Sequence, residues 1–257
     1  MASGQVAPPP FVRLAAHPVR WRLLSQLAGS DLRVRELVAR VREPQNLVSY
    51  HLRLLRDAGL VTARRSSADA RDSYYRLDLD RCANGLRMSG TALHPALVAA
   101  PPVAVWPDQG RQFPRVSVLF ACTGNSARSP IAEALLRDRS DNRLEVTSAG
   151  SHPRPGLHPY AVRVLREHYG VDIAKQRPRH VDTFAGHRFD YVITLCDKVR
   201  EVCPEFGDPS HRVHWSIADP AAASDKADYS DFVRTATEID TRVRHLLTAL
   251  ALEEAQP

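Results

Sequence analysis

Long apolar runs are missing from this sequence. No stretch of about 18 consecutive apolar residues occurs, so no transmembrane helix is expected. The first residues, MASGQVAPPPF, show no cationic start leading into an apolar segment. No secretory signal is expected, and a cytoplasmic location follows by default. Cysteine is scarce: Cys82, Cys122, Cys196 and Cys203 are the four in 257 residues, too few for a disulfide scaffold. In a cytosolic chain such cysteines are buried, metal-bound or catalytic. Lysine is absent from residues 1–87. That stretch holds 15 Arg and 8 acidic residues, a net of +7, whereas residues 88–257 hold 20 basic and 21 acidic residues, a net of −1. All the excess positive charge therefore lies in the first third, which points to a polyanionic partner there, most simply DNA. The plain alternative is the arginine-rich composition of a GC-rich genome. Length and a 44% hydrophobic, 25% charged composition suit a globular chain of one large or two ordinary domains.

Residues 11–83 read as an α(+β) unit, preceded by a disordered tail over 1–10. Pro18 opens a helix whose apolar face is Val19, Leu23, Leu24 and Leu27, and Gly29 stops it. Val34, Leu37, Val38 and Val41 mark a second helix. After a turn at 42–45, a third runs from about Asn46 to Ala58, burying Val48, Leu52 and Leu55. Gly59 ends it. Two strands, Leu60–Arg65 and Ser73–Leu79, flank a polar stretch, Ser66–Asp72, that reads as a wing.

Residues 84–114 carry five prolines in ALHPALVAAPPVAVWPDQGRQFP and no clear period. They read as a Pro-rich linker with a short helix near Gly85–Thr91. From 115 to 253 the pattern alternates. VSVLFA, LEVTSAG and FDYVITL are strands; Pro130–Arg139, Tyr160–His168 and Asp231–Leu252 are helices. This alternation predicts a three-layer α/β domain around a central parallel sheet.

The strongest chemical signal is Cys122-Thr-Gly-Asn-Ser-Ala-Arg128-Ser129. A cysteine ends a buried strand, and an arginine follows as a helix begins. In such a loop the amides of Thr123, Gly124, Asn125, Ser126, Ala127, Arg128 and Ser129 form a nest for an oxyanion. The helix N-terminus adds positive potential. The guanidinium fork of Arg128 matches two oxygens of a tetrahedral anion. The same field favours the nucleophilic thiolate of Cys122, to which Ser129 can donate a hydrogen bond. The alternative is a buried cysteine at a strand end.

CTGNSARSPIAEALL, the SAG at 148–150 and Asp219-Pro220 together resemble the low-molecular-weight tyrosine phosphatase family over about 116–252. The resemblance implies that fold, and Asp219 as the general acid. Two departures bear on substrate. Cys196 and Cys203 in LCDKVREVCP have the spacing of the redox pair in the family's thioredoxin-coupled arsenate reductases. Ala221-Ala222-Ala223 stands where phosphatases carry substrate tyrosines. The resemblance therefore implies arsenate reduction by a Cys122, Cys196, Cys203 relay, with thioredoxin, glutaredoxin or mycothiol as electron donor and no tightly bound cofactor. Were 196–203 helical, the two Cα atoms would lie about 10 Å apart, so disulfide formation requires the segment to unwind. Asn125 and Glu133 match positions that order the loop, or hold a potassium ion, in some reductases. Protein tyrosine phosphatase activity, or a non-enzymatic oxyanion sensor, is the competing function.

LAAHPVRWRLLSQLA, VRELVARV and NLVSYHLRLLRDAGLV resemble the ArsR family of winged helix-turn-helix repressors, over about 11–81. The resemblance implies a homodimer whose third helix enters the major groove of an operator. Gln45, Asn46, Ser49, Tyr50 and His51 are candidates for base or phosphate contact, and Arg53, Arg64, Arg65 and Arg71 for phosphate or minor groove. Relatives that sense metal carry a Cys-Val-Cys motif where this chain has Arg33-Val34-Arg35, so no metal site is expected in this domain.

Overall fold

The computed structural model describes residues 7–94, 97, 116–202, 211–222 and 228–253. The chain divides into two compact units, Met1–Pro101 and Pro102–Pro257.

In the first unit, Pro10–Ala15 is α1 and Pro18–Gly29 is α2. Pro18 occupies the first turn of α2, where its missing N–H costs nothing, and His17 Nδ1 accepts from Val19 N at 3.2 Å. Leu32–Arg33 is β1 and Val34–Val41 is α3, capped where Glu36 Oε2 accepts from Arg33 N at 2.8 Å. Gln45–Asp57 is α4. Gly59, at φ 70°, closes it with Leu60 N donating to Leu55 O at 3.0 Å. Val61–Arg65 (β2) and Ser73–Leu77 (β3) pair antiparallel, and β3 also takes β1 at Leu32↔Tyr75, giving the order β1-β3-β2. Ser66–Asp72 joins β2 to β3 as a wing, closed by Ser66 N donating to Asp72 O at 3.0 Å. The core of this unit is the stripe Leu23, Leu24, Leu27 on α2, Leu37 on α3 and Val48, Leu52, Leu55 on α4.

One expected boundary does not hold. Residues from 84 onward were expected to be linker, yet Leu79–Leu93 is one helix, α5. Asp78 Oδ1 caps it, accepting from Arg81 N at 2.9 Å, and the first proline of the segment comes only at 95. Helix α5 packs on α1. A Cβ at Gly85 would lie 2.5 Å from the Phe11 ring, so glycine permits this approach. Most of the expected Pro-rich linker, 95–96 and 98–115, lies outside the described residues.

In the second unit, Ser117–Cys122 is β4, Arg128–Arg139 is α6, Glu145–Gly150 is β5 and Pro159–Tyr169 is α7. Tyr191–Thr194 is β6, Asp197–Val202 is α8, His211–His214 is β7 and Tyr229–Glu253 is α9. The four strands are parallel in the order β5-β4-β6-β7. Strand β4 is central and buried on both faces. Val118 and Phe120 point to the larger core with Ile131, Leu135, Phe232 and Ile239, whereas Leu119 meets Ala149, Val192 and Phe189 on the other side. Helix α6 is buried along Arg128–Leu136 because it packs on β4 and β5 and also under α9. The fourth strand was not expected. HRVH is a short edge strand, half of it exposed, and has no apolar run to mark it. Among the described residues no helix is long and apolar enough to cross a membrane.

Phe120 is fully buried, with its ring 5.7 Å from that of Trp215. Phe120→Ala is expected to lower unfolding free energy by about 3–5 kcal/mol, read as a fall in the guanidinium midpoint at constant slope.

Candidate active site and nucleic-acid interface

Cys122 is the last residue of β4, and α6 begins at Arg128. Between them the peptide groups must point amide hydrogens inward, so the carbonyls need partners outside. The segment after β5 supplies them. Ser151 N donates to Cys122 O at 3.2 Å, His152 N to Thr123 O at 2.9 Å, Arg154 N to Gly124 O at 2.9 Å and His158 N to Ser126 O at 2.8 Å. The approach is close enough that a Cβ on Gly150 would sit 2.6 Å from Thr123 O. Asn125 holds the turn at φ 43°, a left-handed conformation that asparagine tolerates.

The sulfur of Cys122 is buried, 2.9 Å from Ser129 Oγ, and accepts from Asn125 N at 3.3 Å. The Ser129 hydroxyl, the Asn125 amide and the start of α6 thus surround one sulfur. Arg128 opens α6, six residues on. Its Nη1 donates to Ile217 O at 3.1 Å and its Nη2 to Asp219 Oδ2 at 2.9 Å. Asp219, half-exposed, also accepts from Ala221 N at 3.1 Å. The guanidinium that would grip an oxyanion is paired with a carboxylate, so an entering anion must compete with Asp219 for it. His158 caps α7, stacks on Phe232 at 4.4 Å, and is held below the ordinary histidine pKa by burial, against an opposing pull from Asp219.

Cys196 follows β6 and is buried, its sulfur 3.2 Å from Thr123 Oγ1. Parallel pairing of β6 with β4, and Leu195 N donating to Ala121 O at 2.7 Å, bring it to the rim of the loop. Cys203 lies outside the described residues. Helix α8 covers 197–202. Its first residue is pinned: Asp197 Oδ1 accepts from Ser216 Oγ at 2.7 Å and lies 3.1 Å from His214 Nε2, and all three side chains are buried. Sequence reading missed Asp197, His214 and Ser216, because their contact joins positions 17 and 19 residues apart through β7. It also assigned no role to Ser148, Arg137 and Arg179, which surround Glu133. SAG marked the place of Ser148; nothing in the local pattern marked the arginines.

In the first unit α4 separates its candidates by helical period. Gln45, Asn46, Ser49, Tyr50 and Arg53 are exposed, with the Arg53 guanidinium 5.7 Å from the Tyr50 ring centre. His51 was expected among the DNA contacts, but it is 3% exposed. It falls on the stripe 48, 51, 52, 55 that faces the core, and its ring lies 4.4 Å from that of His17. Arg65 and Arg71 are exposed on the wing and Arg64 is half-buried. Where metal-sensing relatives have thiolates, Arg33 and Arg35 both pair with Asp72. Cys82 packs against the core, and burial, with Asp78 beside it, pushes its thiol up to about 11.

A cysteine at the end of a parallel strand, facing the amides of the loop that follows and an arginine at the start of the next helix, defines a cysteine-nucleophile oxyanion site. Residues 117–256, more than half of the chain, match the low molecular weight phosphotyrosine protein phosphatase family, and the chain belongs to that family. Residues 17–63 match the bacterial regulatory protein arsR family, so the N-terminal unit carries an ArsR-family helix-turn-helix. Arsenate reductase of Bacillus cereus (strain Q1) is 36% identical over 128 residues, which are 50% of this chain and 91% of that protein. Arsenate reductase of Halalkalibacterium halodurans is 36% identical over 129 residues, 49% of this chain and 91% of that protein. A solved structure described as an arsenate reductase in the phosphate binding state aligns with a TM-score of 0.47 and 28% identity, over 52% of this chain and 98% of that one.

His51 is held below its ordinary pKa first by burial, then by His17 and Arg20, against a smaller opposing effect of Glu43. The unfolded chain therefore binds a proton more readily, and stability at this site falls as pH drops below about 6.5. In the full chain, the protection factors of the α4 amides, corrected for the intrinsic exchange rate at each pH, should fall between pH 7.5 and 5.5, and His51→Leu should reduce that fall.

Proposed function

We propose that this chain is a DNA-binding regulator fused to an arsenate reductase. The observation that carries the catalytic half is the pairing of two buried sulfurs with one oxyanion loop: Cys122 under Ser129 and the Asn125 amide, and Cys196 on Thr123 at the neighbouring strand end.

In this reading arsenate displaces the Asp219 carboxylate from Arg128 and binds the loop amides. The Cys122 thiolate attacks arsenic, and Asp219, protonated on release from the guanidinium, gives its proton to the departing oxygen, which leaves as water. The Cys196 thiolate then attacks the Cys122 sulfur. The sulfur–arsenic bond breaks, its electron pair stays on arsenic, and arsenite leaves as As(V) becomes As(III) and two thiols become a disulfide. The Cys203 thiolate attacks Cys196, freeing Cys122, and an external dithiol of the thioredoxin type reduces the last disulfide. The start of α8 must loosen for that exchange. Ala221-Ala222-Ala223 comes directly after Pro220 in place of substrate tyrosines, which disfavours an aryl phosphate as the physiological substrate.

For the regulatory half, the exposed α4 face of Gln45, Asn46, Ser49 and Tyr50 would lie in the major groove of an operator, with Arg53, Arg65 and Arg71 on the flanking phosphate backbone. A second copy is the natural cover for Leu86 and Leu93, which lie on one face of α5 and are exposed. That makes the homodimer usual for this class of regulator.

With thioredoxin and its reductase, arsenate should drive NADPH consumption. Cys203→Ser should abolish steady turnover while still yielding one arsenite per chain in a single-turnover assay. Unchanged steady turnover in that variant would rule out the relay. Aryl-phosphate hydrolysis that survives Cys196→Ser and Cys203→Ser, with no arsenate turnover in the parent, would instead make the domain a phosphatase. In gel shifts on the chain's own upstream DNA, Arg53→Ala should weaken binding about equally for operator and unrelated DNA, and lower the salt slope by about 1.

A further inference from the structure

Glu133 lies on α6 one turn beyond Ser129, with its side chain only 3% exposed. A lone buried carboxylate is costly, and this one is fully engaged. Oε1 accepts from Arg137 Nη2 at 2.7 Å; Oε2 accepts from Arg179 Nη2 at 3.0 Å and from Ser148 Oγ at 2.5 Å. Both oxygens that would ligate an alkali cation thus already face guanidinium groups. A potassium ion here would meet two positive charges, so these residues do not fit the ion that the family resemblance allowed.

We propose that Arg179 is a positioning residue that takes the place of a bound cation and helps set the direction of the side-chain hydrogen bonds leading through Ser148, Asn125 and Ser129 to the Cys122 sulfur. The chain of contacts is continuous. The ionised Glu133 only accepts, so Ser148 must donate to it. Ser148 Oγ can then accept from Asn125 Nδ2 at 2.8 Å, and the second Nδ2 hydrogen goes to Ser129 Oγ at 2.9 Å. Ser129 is left with its own hydrogen for Cys122, 2.9 Å away. Arg179 holds this relay at its Glu133 end and at Asn125 in its middle. Its guanidinium neutralises Glu133, and its backbone N–H donates to Asn125 Oδ1 at 2.7 Å, which fixes which end of that amide is nitrogen. Its carbonyl anchors the segment to β5 by accepting from Gly150 N at 2.9 Å. Arg137 stays on Glu133 when Arg179 is replaced, so Arg179 variants retain one counter-charge for the buried carboxylate.

The inference rests on Cys122 being the nucleophile of the proposed reading, but its test uses no arsenate. Full-length protein is compared in KCl and NaCl at equal ionic strength. Two quantities are read: thermal midpoint, and the rate at which iodoacetamide alkylates Cys122 across pH 5–8, followed by peptide mass spectrometry. The parent should give the same values in both salts. Arg179→Met should slow alkylation near neutral pH about tenfold and move its pH profile upward, and Arg179→Lys should recover most of the rate. A parent stabilised by potassium over sodium would overturn the proposal. So would an Arg179→Met profile matching the parent's, because a merely structural residue would lower the midpoint and leave that profile in place. Loss of arsenate turnover with this pattern intact would sink the reductase reading alone.

Discussion

A peptide group has two ends, and a loop that turns its amide hydrogens toward a ligand turns its carbonyls the other way. Those carbonyls cannot be buried without partners, and here residues 151–158 supply backbone donors to four of the positions between Cys122 and Ser126. The position of β5 beside β4 makes this possible, since the two strands stay in register as far as Cys122↔Gly150 and the chain leaves β5 directly above the loop. Parallel pairing, a glycine at 150 and an oxyanion nest are therefore one constraint expressed three times. The position of Cys196 is a further consequence, because β6 pairs with the opposite edge of β4.

The second organising feature is the disposal of buried charge. Arg128 is 6% exposed and is held by Ile217 O and Asp219; Glu133 is held by Arg137, Arg179 and Ser148. Neither charge is isolated, and the Arg128–Asp219 and Glu133–Arg179 pairs join segments distant in sequence. The two sites differ in exposure. The carboxylate of Asp219 is half-exposed, whereas that of Glu133 is buried.

Much of this protein was legible before its structure. A 3.6-residue spacing of Val48, Leu52 and Leu55 identified the α4 stripe, and the uninterrupted apolar VSVLFA identified a strand buried on both faces. The same spacing, applied strictly, puts His51 in that stripe; a polar side chain was read as surface, and packing against His17 decided otherwise. Helix α5 was expected only as a short piece near Gly85–Thr91, because a proline-rich segment follows closely, and β7 was not expected because an edge strand carries no apolar run.

What the amino-acid order determined alone was local: which stretches repeat with helical or strand period, where a cysteine ends a strand before a helix, and that the basic charge is confined to one third. Local spacing suffices there because the residues concerned are within a few positions of one another. What only tertiary structure decided was which distant groups meet. Asp219 on Arg128, His214 on Asp197 and Arg179 on both Asn125 and Glu133 join positions 17 to 91 residues apart. Such contacts follow from strand order and from the need to neutralise every charge removed from water, and neither leaves a periodic trace in the chain.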